Sequence, residues 1–565
     1  MTQAYVLMQP GAQSQADEWV RLGLTAHVAG TMPDAERHYL SALRLDPGDM
    51  VATQNLACVY AQTGRLLDAL QTIERATMLT PVHHIPWSNW ALMALDADRY
   101  DEALDAAAQG AKVLACDETR TALAMVLTAR GRAADAVPLY DQVVVADLAN
   151  PSHMMAGYNG CFTRTLTDAP PADALAARAR VYALQRFTGP RAPHGNDRTP
   201  DRVLRVGYVS GDFKRHSAAF IFGAVVRHHD QARVQTYLYS TLPVDPVADE
   251  VTASFQKAGA WRDLFPLTDE QADALIRQDG IDVLVDLSGH TGGNRLPLFS
   301  RKPAPVQVTA WGFAHGTGIP EIDYFLADPI AVPGTEREHY AERVWDLPCI
   351  VGYDPPAEYA LKGTSPAPFT RDENGYITLG VFSRFEKLSD AALGAWAEIL
   401  RRVPDARLLL KDRAFRRPFS IRRVRDAMPG IDPGRLTFAI DSHHNEHMAA
   451  YQHVDLILDP FPHTGGCGAL EQLYMGVPIV TRYGVNPGGR TTASVLTVLG
   501  RGGWVAQSVE DYIALAASLA TGRTEIAAAR KTLRQELLDS PLCNGTYVTA
   551  VEDAYRAMWG RWCQP

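Results

Sequence analysis

The chain has 565 residues, 47% hydrophobic and 21% charged, with a formal net charge of −10 and a pI near 5.9. That length exceeds a single hydrophobic core and predicts several domains, while the acidic balance argues against a nucleic-acid backbone as the main partner. No run approaches the ~20 apolar residues that cross a bilayer, so no membrane partner is expected. Residues 1–19 lack a basic stretch followed by an apolar one, so no signal peptide is expected. Seven scattered cysteines, odd in number and without a CxxC pair, suit a reducing cytoplasm and give no zinc signature.

Chain order begins with a repeat. Landmarks of residues 16–47 return 34 residues later: Gly30 on Gly64, Ala35 on Ala69, Tyr39 on Ile73, Ala42 on Ala76 and Pro47 on Pro81. A third copy carries Ala103, with Trp87 where Trp19 stood, and a fourth carries Gly131, Ala136 and Tyr140. The pattern Trp19, Leu22, Gly23, Gly30, Ala35, Tyr39, Ala42, Pro47 resembles the tetratricopeptide repeat, in which small residues let paired helices approach and large ones fill the grooves. Asn55 and Asn89 share a repeat position. Two readings are open for them: amides on a concave face that bind an extended peptide, or solvated helix positions. Residues 1–187 are read as the repeat array with capping helices, and the Pro-, Gly- and Arg-rich stretch 188–202 as a linker.

From Val203 the character changes to β/α alternation. LRVGYVSGDF, VQTYLYS, IDVLVDLSG, VQVTAWGF and IDYFLAD read as strands of one lobe, 203–360. YITLGVFSR, ARLLLKD, RLTFAI, VDLILDP and VPIVTRYG read as strands of a second, 361–565, whose last helix is expected to pack back on the first. Two Rossmann-like lobes imply a cleft, with ligands beyond the carboxyl ends of the strands.

The most informative segment is DLILDPFPHTGGCGALEQLYMGVPIVT. A strand ends at Asp459, and a turn containing Gly465, Gly466, Cys467 and Gly468 opens a helix carrying Glu471. Free amides at a helix N-terminus suit a diphosphate, and Glu471 could accept hydrogen bonds from ribose hydroxyls. The competing reading is a structural strand-to-helix turn. Lys387 follows a second-lobe strand at a helix start, where a cation is slightly unfavourable; there it could neutralise a leaving diphosphate.

This segment, with LRVGYVSGDFKRHS, LFSRKPAPVQVTAWGFAHGTG, FSRFEKLSD and SPLCNGTYV, resembles the O-linked N-acetylglucosamine transferase family in its compact bacterial form, with a GT-B catalytic region. The resemblance implies a multidomain chain: an all-α repeat superhelix followed by an α/β GT-B architecture of two Rossmann-like lobes. It implies an inverting transfer of N-acetylglucosamine from UDP-GlcNAc to serine or threonine of a protein or peptide acceptor, with no metal or other cofactor. It places Lys387 on the diphosphate, His447 on the uracil ring, and Ser442 and His444 near the base. Arg384 stands where the animal enzymes carry an uncharged amide, and Ala450 where they carry a basic residue. His216 matches a histidine considered as general base, against the alternative that it only positions acceptor or sugar, and Asp212 beside it reads as a turn residue. Arg490 resembles an arginine near the donor, with a structural role at a helix start as the alternative. His290 and His315 end first-lobe strands as candidate sugar or acceptor contacts, or as loop-holding residues. Three alternatives stay open: another donor sugar such as fucose from GDP, an asparagine acceptor, or a scaffold that no longer turns over.

Overall fold

The computed structural model describes residues 14–143, 150–243, 249–355, 375–440 and 443–564. The chain forms two compact units, Met1–Thr163 with Arg416–Arg422, and Arg164–Phe415 with Arg423–Pro565. In the first, helices pair antiparallel: Gln15–Val28 with Met32–Leu45, Met50–Gln62 with Leu66–Leu79, His84–Asp96 with Tyr100–Val113, and Asp117–Ala129 with Ala133–Gln142. The turn inside each pair needs one left-handed residue. Gly30, Gly64 and Gly131 supply it at φ 76°, 81° and 75°, and Asp98 supplies it in the third pair at φ 55°, which explains why the glycine landmark is missing there. A Cβ on Gly23 would lie 2.6 Å from Tyr39 Cε1, so the small residue sets the spacing of the first pair.

Asn55 and Asn89 depart from the solvated reading. Each is fully buried. Asn89 Nδ2 reaches Cys58 Sγ in the preceding repeat at 3.6 Å, and Gln54 Nε2 donates to Asn55 Oδ1 at 3.4 Å. Burial excludes the solvated reading, since a buried amide must find hydrogen-bond partners.

The helix Pro171–Gln185, expected to cap the array, belongs to the second unit. Tyr182 donates to Glu321 at 2.8 Å, and Arg178 is buried. The expected linker 188–202 is likewise held: Arg191 Nη2 donates to Ser300 O at 3.0 Å, and Asn196 Nδ2 and Arg202 Nη1 donate to the Asp282 carboxylate at 2.8 and 2.7 Å. Its polar composition reads as a linker in sequence because the carboxylate and carbonyl that satisfy it come from about 80–110 residues onward.

The second unit contains two parallel sheets. The first comprises β1 (Leu204–Ser210), β2 (Val234–Ser240), β3 (Ala260–Asp263), β4 (Val283–Asp286), β5 (Val306–Thr309), β6 (Tyr324–Ala327) and β7 (Arg343–Asp346), in the order β3-β2-β1-β4-β5-β6-β7. The second comprises β8 (Ile377–Phe382), β9 (Ala406–Lys411), β10 (Leu436–Ala439), β11 (Leu456–Leu458), β12 (Ile479–Arg482) and β13 (Val505–Ala506), in the order β10-β9-β8-β11-β12-β13. Both follow the Rossmann order, so each has one topological switch point, between β1 and β4 and between β8 and β11. The strands absent from the sequence reading, β3, β7 and β13, are all edges. Edge strands are short and partly exposed, so they lack the apolar run that marks β1 or β8.

The C-terminal helix Thr546–Cys563 returns to the first lobe as expected. Trp311 Nε1 donates to Tyr547 Oη at 2.9 Å, and Tyr547 Oη donates to Cys349 O at 3.0 Å. His229 Nδ1 lies 2.9 Å from Glu552. Among the described residues no helix is long and apolar enough to cross a membrane.

Candidate active site

At the second switch point, β8 runs into a short 3-10 turn, Phe385–Lys387. The turn folds Lys387 inward, and its side chain is buried with Nζ donating to Thr464 O at 2.7 Å. Thr464 is itself fixed, its hydroxyl donating to Gly488 O at 2.9 Å. Across the switch point, β11 leads into the glycine turn. Gly466 sits at φ 57°, ψ −121° as N-cap of the helix Cys467–Tyr474, a conformation L side chains resist. A Cβ on Gly465 would lie 3.0 Å from Asp459 Oδ1 and 3.2 Å from Ala469 N. The amides divide differently from the expectation. Gly468 N–H donates to Gly465 O at 3.3 Å, whereas those of Gly466 and Cys467 find no acceptor among the described residues. Two adjacent amides and one ammonium thus share the switch point, an arrangement that receives an anion.

Burial holds the Lys387 amine below its usual range, and the neighbouring Arg384 adds to this. Burial raises the carboxyl of Asp459, opposed by a hydrogen bond from Thr481 Oγ1 at 2.8 Å. Burial therefore disfavours the ammonium, and an anion beside it would favour it. Arg384 is at the rim, more than half exposed and paired with Glu386 at 3.2 Å.

Glu471, His444 and His447 form a neighbouring group. Glu471 is buried, 3.8 Å from His447 Nε2 and 4.0 Å from His444 Nε2. Burial pushes the Glu471 carboxyl up to about 7. The His447 imidazole is pushed down to about 4 by burial, with Lys411 and His444 contributing. The geometry is that of an ion pair, yet both shifts favour neutral partners, so we read it as a polar contact. His447 stands on an aromatic floor, its ring 5.7 Å from Phe382 and 5.3 Å from Tyr451, and it meets the Tyr451 hydroxyl at 3.2 Å. From the first lobe, Phe220 approaches His444 at 6.0 Å. Ser442 lies outside the described residues.

His216 follows β1 and caps the helix Ser217–Val226, Nδ1 accepting from Ala218 N at 3.3 Å. Nδ1 also lies 3.6 Å from Asp212 Oδ2, and the side chain is nearly half exposed. The cap leaves the neutral ring protonated on Nε2; an Nδ1–H turned to Asp212 would free Nε2 as a base. His290 follows β4 but is buried, with Nε2–H donating to Thr317 O at 2.7 Å, and burial pushes it down to about 4. The structure uses it to hold a loop. His315 is buried too, its imidazole held well below the usual range first by burial and then by Arg178. A Cβ on Gly488 would lie 3.1 Å from His315 Nε2, so this residue abuts the second lobe.

Arg490 takes the structural one of its two readings, as N-cap of the helix Thr491–Val498. Its five N–H donors go to Gly484 O, Val485 O, Ala331 O and both oxygens of Glu336, at 2.7–3.2 Å. None remains for a donor phosphate, and the residue braces one lobe on the other. A fork of donors matches carboxylate and carbonyl as well as phosphate, which sequence alone does not distinguish.

The sequence reading missed His463, although it lies in the quoted FPHTGG. Its Nδ1–H donates to Thr165 O at 3.1 Å. Burial, then Lys387 and Arg384, hold its imidazole well below the usual range, so a neutral ring with a fixed tautomer stands beside the lysine. Its signal was its place directly before the glycine turn.

The family profile described as glycosyl transferase family 41 matches residues 181–351 and 369–551. The chain is similar to a probable UDP-N-acetylglucosamine–peptide N-acetylglucosaminyltransferase SPINDLY of Hordeum vulgare, 34% identical over 431 residues, 73% of this chain and 44% of that protein. It is similar to the probable transferase SEC of Arabidopsis thaliana, 28% identical over 394 residues, 68% of this chain and 40% of that protein. It thus spans less than half the length of these relatives. A solved lysine-to-methionine mutant of Thermobaculum terrenum O-GlcNAc transferase superposes with a TM-score of 0.77 at 27% identity, covering 99% of each chain.

Proposed function

This chain belongs to glycosyl transferase family 41, and on that premise we propose that it transfers N-acetylglucosamine from UDP-GlcNAc to serine or threonine hydroxyls of proteins, by inversion and without a metal ion. The observation that carries the reading is the buried Lys387 amine beside the Gly466 and Cys467 amides at the second switch point. The names of the relatives and of the Thermobaculum neighbour support the sugar and the class of acceptor.

In this mechanism the acceptor oxygen attacks the anomeric carbon from the face opposite UDP. The bond from that carbon to the diphosphate oxygen breaks, and the electron pair leaves with UDP. Lys387 and the two amides meet the charge that develops there, in a dry site where such donors act most strongly. Glu471 receives ribose hydroxyls, and the aromatic group around His447 receives the base. His216 takes the acceptor proton on Nε2 when Asp212 holds its Nδ1–H. Free thiols throughout the described cysteines are in keeping with a cytoplasmic enzyme.

A donor screen by thermal unfolding tests the reading. UDP and UDP-GlcNAc should raise the Tm with increasing concentration, and GDP and its sugars should not. Stabilisation by GDP-sugars alone would overturn the donor assignment, and stabilisation by none would overturn the transferase.

A further inference from the structure

In the helical unit, side chains with metal-binding chemistry from consecutive repeats converge. His84 opens the helix His84–Asp96, and one 34-residue period later the equivalent position is Glu118, in the first turn of the helix Asp117–Ala129. Cys116 is the N-cap of that second helix. Nesting of the repeats stacks equivalent positions, and it brings His84 Nε2 to 4.0 Å from Glu118 Oε2. With Cys116 Sγ, the three ligand atoms lie within 4.8 Å of one another, and all three residues are half-buried. The adjoining carboxylate, Asp117, turns to other partners, His153 Nε2 at 3.2 Å and Arg120 Nη1 at 3.4 Å.

We propose that His84 Nε2, the Cys116 thiolate and a Glu118 carboxylate oxygen bind one borderline-soft divalent cation of the zinc class, which pins the third repeat to the fourth. A nitrogen, sulfur and oxygen set selects zinc over magnesium or calcium, which take oxygen ligands. Tetrahedral zinc holds such atoms ~3.3–3.8 Å apart, so small rotamer changes close the observed spacing. On binding, the Cys116 thiol gives its proton to solvent, and a water fills the fourth corner. No CxxC-type spacing announces the set, because its ligands come from two repeats.

Cobalt serves as the probe. The full-length protein, stripped with chelator, is titrated with Co2+ under reducing conditions, and the thiolate-to-cobalt absorption in the near ultraviolet is recorded. We expect about one equivalent bound, with the band displaced by Zn2+. It should be lost in Cys116→Ser and in His84→Ala, and retained in Cys543→Ser and Cys563→Ser, the other partly exposed thiols. Zinc should also raise the Tm of the wild type and leave Cys116→Ser unchanged. Absence of the band in the wild type, or its survival in Cys116→Ser or His84→Ala, overturns the proposal. If either variant fails to fold, Glu118→Gln, nearly isosteric, decides: unchanged cobalt binding overturns the site, and weakened binding supports it.

Discussion

Replacing Lys387 by methionine keeps the aliphatic stem and removes one ammonium group. Two estimates of the consequence agree. A unit charge 4 Å from another at an effective dielectric of 20 is worth about 4 kcal/mol, and loss of one oxyanion donor costs about 3–4 kcal/mol of transition-state stabilisation. Lys387→Met should therefore lower kcat/KM by roughly 10²–10³. Folding should change little. The substitution deprives Thr464 O of its donor, which costs about 1–3 kcal/mol, and the relief of a buried, partly uncompensated cation offsets it. The assay follows UDP release from UDP-GlcNAc with and without a pool of serine- and threonine-containing peptides, alongside thermal unfolding and calorimetric titration with UDP. A folded Lys387→Met protein that turned over within about threefold of the wild type (less than about 1 kcal/mol) would refute the assignment of this amine to the leaving group.

Gly466→Ala places a Cβ at positive φ in a sparsely populated backbone region and should cost about 1–3 kcal/mol, with weaker UDP affinity by calorimetry. The folded-state pKa of Glu471 is raised from 4.5 to about 7, so its contribution to stability is fully present below pH 4.5 and lost as pH rises through 7. The difference in unfolding free energy between wild type and Glu471→Gln should change by roughly 3 kcal/mol between pH 4 and pH 8, and a flat difference in denaturant titrations would count against the buried carboxyl. Arg490→Ala strands the Glu336 carboxylate and several carbonyls, and should cost about 3–5 kcal/mol in urea unfolding. Asp212→Asn should lower kcat by removing the carboxylate that faces His216 Nδ1, and an unaltered kcat would remove that pairing from the mechanism.

The repeat period, the alternation of apolar strands and the glycine turn at 465–468 were legible because each is a local pattern with one physical cause. Nested helix pairs, buried parallel strands and a left-handed N-cap each demand certain residue types at certain spacings. Lys387 was legible as a misfit, a cation at a helix start. The roles that went astray depend on partners distant in sequence. Arg490 met Glu336, 154 residues away, and its guanidinium donors are taken up there and by carbonyls. His463 gained its meaning only when β8 and β11 set it beside Lys387.

The sequence by itself determined the helical array, the two α/β lobes and the phosphate-type turn, since chain-local periodicity and turn chemistry suffice for those. Tertiary structure alone decided which amides stay without an acceptor, which histidines are spent on loops, and which cations brace the lobes. The physical reason is that hydrogen-bond capacity is finite. A side chain's function is what its donors and acceptors have left after folding, and only the assembled neighbours fix that remainder.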